Sequence, residues 1–296
     1  MSIAIQSRFE AQVLRDEPLS RHTSWHVGGP ADVFFMPRDR EDLLAFLRAL
    51  PADVPLLWLG LGSNLLVRDG GVRGVVIKTQ DALGRLERRG EIGVYAEAGV
   101  PCAKLARQCA RWNLGPAAFF AGIPGTVGGA LAMNAGAFGG ETWPLVREVE
   151  TVDRDGTVRT RAADEYRTGY RSVTPPAEGE WFLAATLELR ADADETGMRE
   201  LLERRRQTQP IGEWSCGSVF TNPPGDHAAR LIEAAGLKGL RIGGAAVSEK
   251  HANFILNEGG ARASDIEALI ARVQGEVQRR HGVRLHPEVR VVGELA

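Results

Sequence analysis

The sequence predicts a mixed fold of α and β elements, and three patterns indicate it. Short apolar runs of strand length, ADVFFMP and VPLLWLGLG, are each ended by a turn residue. The run DREDLLAFLRALP between them repeats apolar residues at helical spacing, so the three runs form a β-α-β unit. Further along, VREVETVDRDGTVRTRAADE alternates as strands do and carries a hairpin turn at DRDG.

The middle of the chain continues this mixture. EIGVYAEAGV and EWFLAATLELR are predicted strands, and Pro101 opens a predicted helix that ends before Gly115. The helical run MRELLERRRQ ends in a run of charges, and the irregular TQPIGEWSCGS follows it. Such a change in composition favours a domain boundary near residue 205.

The last ninety residues predict two helices and a closing strand. Asp226 is a candidate cap for the first helix, and Ser264 with Glu267 forms a capping box for a longer second one. That second helix places its apolar residues on one face, namely Ile266, Leu269, Ile270, Val273 and Val277. The segment LHPEVRVVG has the pattern of a strand.

The composition is that of an ordinary globular protein. Of the 296 residues 44% are hydrophobic and 25% are charged, which argues against disorder. A net charge of -2 gives no electrostatic reason to bind DNA or RNA, so we expect no nucleic-acid partner. No apolar run approaches the roughly eighteen residues of a membrane span, and charged residues near the N-terminus argue against a signal peptide.

The cysteines and histidines point to a reducing compartment and to no metal. Cys102, Cys109 and Cys216 are spaced for neither a disulfide framework nor a zinc site. The six histidines are scattered, with no pair on one helix face. We therefore expect a cytoplasmic protein without a metal centre.

Glycine is the unusual residue, with 35 copies or roughly 12% of the chain against a usual value of about 7%. Two stretches concentrate it: GLGSNLL at residues 60–66 and AGIPGTVGGALAMNAGAFGG at residues 121–140. Backbone without side chains lets N–H groups approach a phosphate closely. Neither stretch has the P-loop or Rossmann pattern. Two such loops suit a long ligand that has both a pyrophosphate and an aromatic ring system.

Seven motifs in order carry a resemblance to one family. They are RHTSWHVGGPAD, GLGSNLL, AGIPGTVGGALAMNAGAFGG, TGYRS, SCGSVFTNP, AGLKG and VSEKHANFILN, and the likeness runs from about residue 20 to residue 293. Together they closely resemble the UDP-N-acetylenolpyruvoylglucosamine reductase family, flavoenzymes of bacterial peptidoglycan precursor synthesis.

The resemblance implies an α+β fold. It consists of an FAD-binding region of the vanillyl-alcohol-oxidase type in two lobes, followed by a C-terminal α+β substrate-binding domain. We expect the lobes at residues 1–80 and 81–205 and the substrate-binding domain at residues 206–296. The short connection after EWFLAATLELR resembles the shorter subclass that lacks an extra tyrosine-bearing loop. Two positions depart from the family pattern: Leu61 replaces a common glycine, and His286 replaces a frequent glutamate.

The resemblance also implies non-covalent FAD, with NADPH as the hydride donor. We expect the two glycine stretches to bind the flavin cofactor through fifteen residues, which are Gly60, Gly62, Ser63, Asn64, Leu65, Gly122, Ile123, Pro124, Gly125, Thr126, Gly128, Gly129, Asn134, Ala135 and Gly136.

The family reaction reduces an enolpyruvyl ether to a lactyl ether, by hydride addition at C3 and protonation at C2. Negative charge builds in an enediolate, which the protein must stabilise. Arg171 in TGYRS resembles the arginine that holds the substrate carboxylate, for which a planar guanidinium is suited. Ser218 in SCGSVF matches the proton donor. Glu288 in HPEV matches the family glutamate and acts either protonated or through a hydrogen bond that polarises its neighbours.

Three further residues are expected to contact the substrate: Tyr170, Asn222 and Lys238. Asn222 matches the asparagine that follows the proton donor, and Lys238 offers a positive charge for the diphosphate. We interpret Cys216 as a packing residue, because no histidine lies near it in the sequence to activate a nucleophile. Lys250 and His251 are interpreted as structural.

Two other functions remain open at this point. An FAD-dependent oxidase or dehydrogenase of small hydroxy acids or sugars would share the flavin lobes but would not need SCGSVFTNP. A non-catalytic flavin or nucleotide binder predicts loss of the proton donor, whereas Arg171, Ser218 and Glu288 are all present. The expected partners are a UDP-sugar enolpyruvyl ether and NADPH, with no membrane and no obligate protein partner.

Overall fold

A computed structural model describes residue 3, residues 5–191 and residues 195–296. Its helices are α1 (Arg40–Ala49), α2 (Cys102–Arg111), α3 (Val127–Met133), α4 (Glu195–Thr208), α5 (Ala228–Ala234) and α6 (Ala263–His281). Within the described residues, every helix is too short or too polar to cross a lipid bilayer.

Strands run through the whole chain. They are β1 (Val13–Pro18), β2 (Pro30–Phe35), β3 (Leu56–Leu59), β4 (Leu65–Val67), β5 (Val72–Lys78), β6 (Leu86–Arg89), β7 (Gly93–Glu97), β8 (Gly136–Ala137), β9 (Gly140–Glu141), β10 (Val146–Asp153), β11 (Val158–Ala162), β12 (Arg167–Gly169), β13 (Ser172–Thr174), β14 (Glu180–Glu188), β15 (Arg241–Ile242), β16 (Ala245–Val247), β17 (Ile255–Asn257) and β18 (Arg290–Val292).

The chain divides into two compact units, each built from three pieces. The first unit contains Met1–Arg15, Val33–Leu61 and Gly74–Arg204, and the second contains Asp16–Asp32, Gly62–Arg73 and Arg205–Ala296. The division at residues 80 and 205 that we expect from the sequence stays a prediction.

A five-stranded antiparallel sheet lies in the first unit, in the order β11-β10-β14-β7-β6. The hairpin between β10 and β11 forms at the DRDG segment, as predicted. There the Asp153 carboxylate accepts hydrogen bonds from the Asp155 and Thr157 N–H groups, at 3.0 and 2.9 Å. Asp153 therefore supplies the turn with a side-chain acceptor, which is why aspartate suits this position.

The predicted β-α-β unit is β2, α1 and β3. Asp39 caps α1 by accepting from the Asp42 N–H at 2.8 Å. Phe46 on α1 stacks on Phe35 of β2 with ring centroids 3.6 Å apart, and Phe9 meets Phe46 edge-on at 5.1 Å. In the sheet order β1-β2-β5-β3, strand β5 lies between β2 and β3 and runs parallel to β3.

The second unit has its own core around α5, α6 and Trp25. Trp25 is fully buried, and its indole N–H donates to the Ile255 carbonyl at 2.7 Å. The Asn257 side-chain amide donates in turn to the Trp25 carbonyl at 2.8 Å. The apolar face predicted for α6 is confirmed, because its five members are all buried.

The start of α6 differs from the prediction. Ser264 and Glu267 form no capping box: the Asp69 carboxylate accepts from the Ala263 and Ser264 N–H groups at 2.9 and 3.0 Å. Glu267 instead accepts two hydrogen bonds from the Arg68 guanidinium, at 2.7 and 3.0 Å. The carboxylate that accepts from these two N–H groups therefore belongs to Asp69, which follows β4 and Arg68 and is far from α6 in the sequence.

The start of α5 also differs from the prediction. His227 is the N-terminal cap residue and makes no capping hydrogen bond with its side chain. The Asn222 side-chain oxygen accepts from the Ala228 N–H at 3.0 Å, while Asp226 pairs with Arg230 one turn along the helix. A side chain six residues upstream thus replaces the predicted Asp226 cap.

We expect Asp69→Ala to lower the free energy of unfolding by about 1–2 kcal/mol, because two N–H groups at the start of α6 lose their acceptor. Urea unfolding at pH 7 measures this loss. Asp69→Asn keeps one acceptor oxygen and should lose less. An Asp69→Ala protein as stable as the parent would show that solvent replaces the cap.

The Asp69 pKa gives this effect a pH dependence. Burial acts to raise the pKa, but hydrogen bonds from Ser264 and Ala263 and the charge of Arg262 outweigh it, so the pKa is lowered. The carboxylate therefore stabilises the fold above the ordinary aspartate value of about 3.9, and the difference between parent and Asp69→Ala should shrink as the pH falls through the lowered pKa.

Candidate active site

The glycine-rich stretch at residues 121–140 builds the N-terminus of α3 and the β8–β9 hairpin. Thr126 is buried, and its hydroxyl oxygen accepts from the Gly129 N–H at 3.4 Å. The Val127 and Gly128 N–H groups donate to the Val100 and Ala98 carbonyls, both at 2.8 Å. The first turn of α3 is thereby fixed against the end of β7.

Several glycines are explained by contacts within the protein itself. A Cβ added at Gly60 would lie 2.5 Å from the Thr126 hydroxyl oxygen, and one at Gly128 would lie 2.8 Å from the Ala98 Cβ. A Cβ at Gly122 would lie 2.5 Å from the ring of Phe138. Close packing of the polypeptide on itself requires these three glycines, and their role in cofactor binding stays a prediction.

One strip of this backbone is open. Pro124 and Gly129 are exposed and Gly125 is half-buried, whereas Ile123 beside them is buried. A Cβ added at Gly129 would have only the Thr126 hydroxyl oxygen near it, at 3.8 Å. The strip therefore has room for a ligand to lie against bare backbone, which fits a pyrophosphate or a flat ring system such as those of FAD.

Asn134 connects this stretch to the hairpin that carries Tyr170 and Arg171. It ends α3 in the left-handed conformation, with φ 47°, and its side chain is 1% exposed. Its amide donates to the Gly169 carbonyl and the Glu141 carboxylate, both at 3.0 Å, and its oxygen accepts from the Trp143 N–H at 3.1 Å. Both amide hydrogens of Asn134 are thus donated to the protein.

Arg171 lies in the turn between β12 and β13, with φ 52°. Its guanidinium donates to the Gly136 carbonyl at 2.7 Å and to the Asn134 carbonyl at 3.3 Å. The exposed Tyr170 ring has its centroid 5.1 Å from the guanidinium carbon, within the range of a cation–π contact. These contacts orient the arginine before any substrate binds.

The backbone beneath Arg171 is fixed by close contacts in the β8–β9 hairpin. The Ala135 carbonyl accepts from the Thr142 hydroxyl at 2.7 Å and from its N–H at 3.1 Å. A Cβ at Gly136 would overlap the Gly140 carbonyl oxygen. Glycine at position 136 lets the hairpin strands approach closely enough to present their carbonyls to Arg171.

In the second unit, the segment from Gly62 to Leu65 lies against the end of the chain that carries Glu288. Gly62 has φ 63°, and a Cβ there would overlap the His22 carbonyl oxygen. The Asn64 amide donates to the Glu288 carbonyl at 3.1 Å, and the Asn64 carbonyl accepts from the Arg290 N–H at 3.0 Å. Half-buried Ser63 precedes Asn64, and Leu65 begins β4, which pairs in parallel with β18.

Ser218 and Glu288 are brought together in this unit. Ser218 is half-buried and follows Gly217, whose φ is 84°. The Glu288 N–H donates to the Val219 carbonyl at 2.8 Å, and the Thr221 N–H donates to the His286 carbonyl at 3.0 Å. The segment after Ser218 therefore runs antiparallel to the segment of Glu288, and the side chain of His286 is exposed.

Asn253 holds the same segment from the other side, and the sequence did not reveal this role. Its oxygen accepts from the Phe220 N–H at 3.0 Å, and its amide donates to the Phe220 carbonyl at 2.8 Å. The Asn253 carbonyl accepts from the Val219 N–H at 2.9 Å. The only signal in the sequence is a polar residue within the apolar pattern of HANFIL.

The Cys216 thiol is buried and has low reactivity as a nucleophile. Its side chain is buried in the core of the second unit, and burial, with a further contribution from the charge of Glu288, raises the pKa of its thiol well above the ordinary value. A thiol that stays protonated is a poor nucleophile, which agrees with a packing role. Among the residues that the structure describes, no three His, Cys, Asp or Glu side chains form a metal site.

Asn222 and Lys238 have roles within the protein. Exposed Asn222 caps α5, as described above, and the Lys238 ammonium pairs with Glu233 at 2.8 Å. Burial, aided by the charge of Lys238, lowers the pKa of His251. The predicted substrate contacts of Tyr170, Asn222 and Lys238 stay predictions.

We expect Asn134→Gly to lower the free energy of unfolding by about 1–3 kcal/mol, because glycine keeps the left-handed conformation but removes three side-chain hydrogen bonds, one of them to the buried Trp143 N–H. Asn113→Gly is the matched control, since Asn113 is exposed and also left-handed, with φ 55°, just after α2. Urea unfolding of both variants measures the difference. Equal losses would show that the Asn134 hydrogen bonds contribute nothing beyond backbone conformation.

Two family models match this chain. Residues 31–161 match an FAD binding domain, and residues 209–292 match the UDP-N-acetylenolpyruvoylglucosamine reductase C-terminal domain. The predicted FAD cofactor and the predicted α+β fold, an FAD-binding region followed by a C-terminal domain, are thereby confirmed.

Several relatives match this chain over nearly its whole length. The UDP-N-acetylenolpyruvoylglucosamine reductase of Alkalilimnicola ehrlichii is 62% identical over 99% of both chains. That of Methylococcus capsulatus is 60% identical over 95% of this chain and 93% of its own. The crystal structure of the Thermus caldophilus enzyme is 36% identical, with a TM-score of 0.79 over 94% of this chain and 97% of its own. The chain therefore belongs to the UDP-N-acetylenolpyruvoylglucosamine reductase family.

Proposed function

We propose that this protein catalyses the FAD-dependent reduction of UDP-N-acetylglucosamine enolpyruvate to UDP-N-acetylmuramate, with NADPH as the hydride donor, in peptidoglycan precursor synthesis. The observation that carries the proposal is the antiparallel pairing that fixes Ser218 beside Glu288, through the 2.8 Å hydrogen bond between Glu288 and Val219. Family membership and the FAD binding domain support it.

The flavin supplies hydride transfer when it is bound. The open strip at Pro124, Gly125 and Gly129 is the part of the chain that would hold it, because these residues are exposed or half-buried and Gly129 has open space where a side chain would lie. The buried Thr126 hydroxyl caps the N-terminus of α3 by accepting from the Gly129 N–H. The protein's contribution at this strip is shape, since a side chain would occupy the space of the ligand.

Arg171 binds the carboxylate of the enolpyruvyl group. As C2 gains an electron pair, a further negative charge spreads onto that carboxylate, so a guanidinium stabilises this state more than the singly charged ground state. The hydrogen bonds to Gly136 and Asn134 hold the guanidinium in place. Little reorganisation is then required when the charge develops.

Ser218 supplies the proton to C2. A hydroxyl is a weak acid, but the carbon of an enediolate is a much stronger base, so proton transfer needs mainly correct placement. The pairing with the Glu288 segment gives Ser218 that placement. Glu288 lies in the segment that pairs with the one following Ser218, and its carboxyl group stabilises the enediolate either as the neutral acid or through a polarised neighbour.

The finer parts of the proposal concern organisation and location. Residues 1–80 and 81–205 form the two flavin lobes, and residues 206–296 form the substrate-binding domain. The UDP-sugar is contacted by Tyr170, Asn222 and Lys238. The protein acts in the cytoplasm on small molecules, without nucleic acid, membrane or obligate protein partner. The three buried, free cysteines support a reducing compartment.

We expect Ser218→Ala to separate the two half-reactions. Reduction of the flavin by NADPH needs no proton from a serine, so its rate should stay near that of the parent. Reoxidation by the enolpyruvyl substrate should slow by about 10²- to 10⁴-fold, the usual worth of a positioned general acid. Stopped-flow absorbance of the flavin measures both rates.

Ser218→Cys is the companion variant, because a thiol also donates a proton and differs little in size. It should retain part of the reoxidation rate that Ser218→Ala loses. If Ser218→Ala is reoxidised as fast as the parent, the proton comes from another group and Ser218 is only a turn residue.

We expect Gly129→Val to weaken FAD binding at least tenfold while changing the unfolding free energy of the apoprotein by less than about 0.5 kcal/mol, because the added side chain enters open space on α3. Gly128→Ala is the matched comparison. Its Cβ would press on Ala98, so it should destabilise the apoprotein first. Fluorescence titration of apoprotein with FAD, with urea unfolding, gives both quantities; unchanged FAD affinity in Gly129→Val removes this strip from the cofactor site.

A further inference from the structure

One buried side chain binds the backbone that directly follows Ser218, on the side away from the Glu288 segment. Asn253 is 4% exposed. Its side-chain amide pairs with both the N–H and the C=O of Phe220, as a residue of a neighbouring strand would. Its own carbonyl accepts from the Val219 N–H at 2.9 Å. Three hydrogen bonds therefore join Asn253 to the two residues that directly follow Ser218.

The other contacts of this segment do not replace those of Asn253. Glu288 binds the Val219 carbonyl, and on the other side of Ser218 lies Gly217, whose φ of 84° gives little steric restraint. The position of the Ser218 hydroxyl is therefore set from its C-terminal side. Without the Asn253 amide, the backbone N–H and C=O of Phe220 would be buried without partners, and the backbone would shift to find them.

Asn253 is itself oriented by hydrogen bonds within the segment that precedes it. Its N–H donates to the Nδ1 atom of His251 at 3.3 Å, and the N–H of His251 donates to the Ser248 hydroxyl oxygen at 3.3 Å. Burial lowers the pKa of His251, which keeps the ring neutral and Nδ1 able to accept. Within the motif VSEKHANF, Ser248 and His251 thus orient the backbone of Asn253.

We infer that Asn253 is a positioning residue for the proton transfer to C2, acting through Ser218 and touching neither the substrate nor the flavin. This inference rests on the proposed function of Ser218. It assigns to an asparagine in VSEKHANF a part in the second half-reaction only. Flavin reduction by NADPH does not involve Ser218 and is independent of Asn253.

The expected effect follows from the sensitivity of catalysis to placement. A displacement of about 1 Å in a reacting group lowers a rate by up to about 10²-fold. Asn253→Ala should therefore slow reoxidation by the enolpyruvyl substrate by about 10- to 100-fold and leave reduction by NADPH unchanged. Amide hydrogen exchange of residues 217–221 should also become faster, which reports the loosening without turnover.

A double-mutant cycle tests whether Asn253 acts through Ser218. Asn253→Ala should have no further effect on reoxidation in the Ser218→Ala background, because the hydroxyl that it positions is gone. Equal effects in both backgrounds would overturn the inference while leaving the role of Ser218 intact. A Ser218→Ala protein that is reoxidised at the parental rate would overturn the proposed function of Ser218, and this inference with it.

Asn257→Ala is the matched control for loss of a buried asparagine. Asn257 is 6% exposed, accepts from the Gly259 and Ala261 N–H groups at 2.9 and 3.2 Å, and donates to Trp25 in the same unit. Asn257→Ala should lower the unfolding free energy comparably, without changing the reoxidation rate. Equal slowing in both alanine variants would mean that general destabilisation, not positioning, is measured, and the inference would be wrong.

Asn253→Asp gives a second test that does not remove the side chain. A protonated carboxyl has one acceptor and one donor, as the amide toward Phe220 does, whereas a carboxylate has no donor. The ratio of its reoxidation rate to that of the parent should therefore rise as the pH falls and the buried acid protonates. A ratio that stays at one across this range would show that the Phe220 carbonyl needs no donor and would overturn the inference.

Discussion

Buried irregular backbone is the constraint on which this structure depends. The segments that carry Ser218 and Glu288 belong to no long strand or helix, yet Val219, Phe220 and Val289 within them are buried, and each buried N–H and C=O group needs a partner. Asparagine side chains supply partners for backbone groups of this kind. Asn134 does so beside Arg171, Asn253 does so beside Ser218, and Asn64 binds the Glu288 carbonyl. An amide side chain is suited to this task because it offers the same donor and acceptor as a peptide group.

The abundance of glycine follows from the same constraint. Where irregular segments meet without side chains between them, their backbones approach to hydrogen-bonding distance, as at Gly62 against His22 and at Gly136 against Gly140. The glycine-rich stretch therefore has two surfaces with different purposes. One packs on the protein and fixes the carbonyls that orient Arg171, and the other, at Gly129, leaves space for a ligand. Rigidity on the first surface is what keeps the second surface in shape.

Features that depend on neighbouring residues could be predicted from the sequence. The hairpin at Asp153 and the apolar face of α6 are set within one turn or one helix, so local patterns suffice. The cap of α6 could not be predicted, because Asp69 lies 194 residues before Ala263, and a nearer Ser264 offered a plausible alternative. The support of Ser218 by Asn253 was missed for the same reason, since its partner Phe220 is 33 residues away. The resemblance predicted the candidate catalytic residues, but the side chains that bind the backbone beside them became visible only in the folded chain.

The second unit collects its chain from three distant pieces, and this has a consequence for biosynthesis. Trp25 and Leu66 share a core with α5 and α6, and Trp25 is bonded to Asn257 across 232 residues. During translation both residues are therefore synthesised long before the residues that they pack against. The long-range contacts can form only after the last third of the chain has been synthesised. Translation that stops before residue 205 leaves Trp25 and Leu66 without this core, so such fragments expose apolar surface of the kind that drives aggregation.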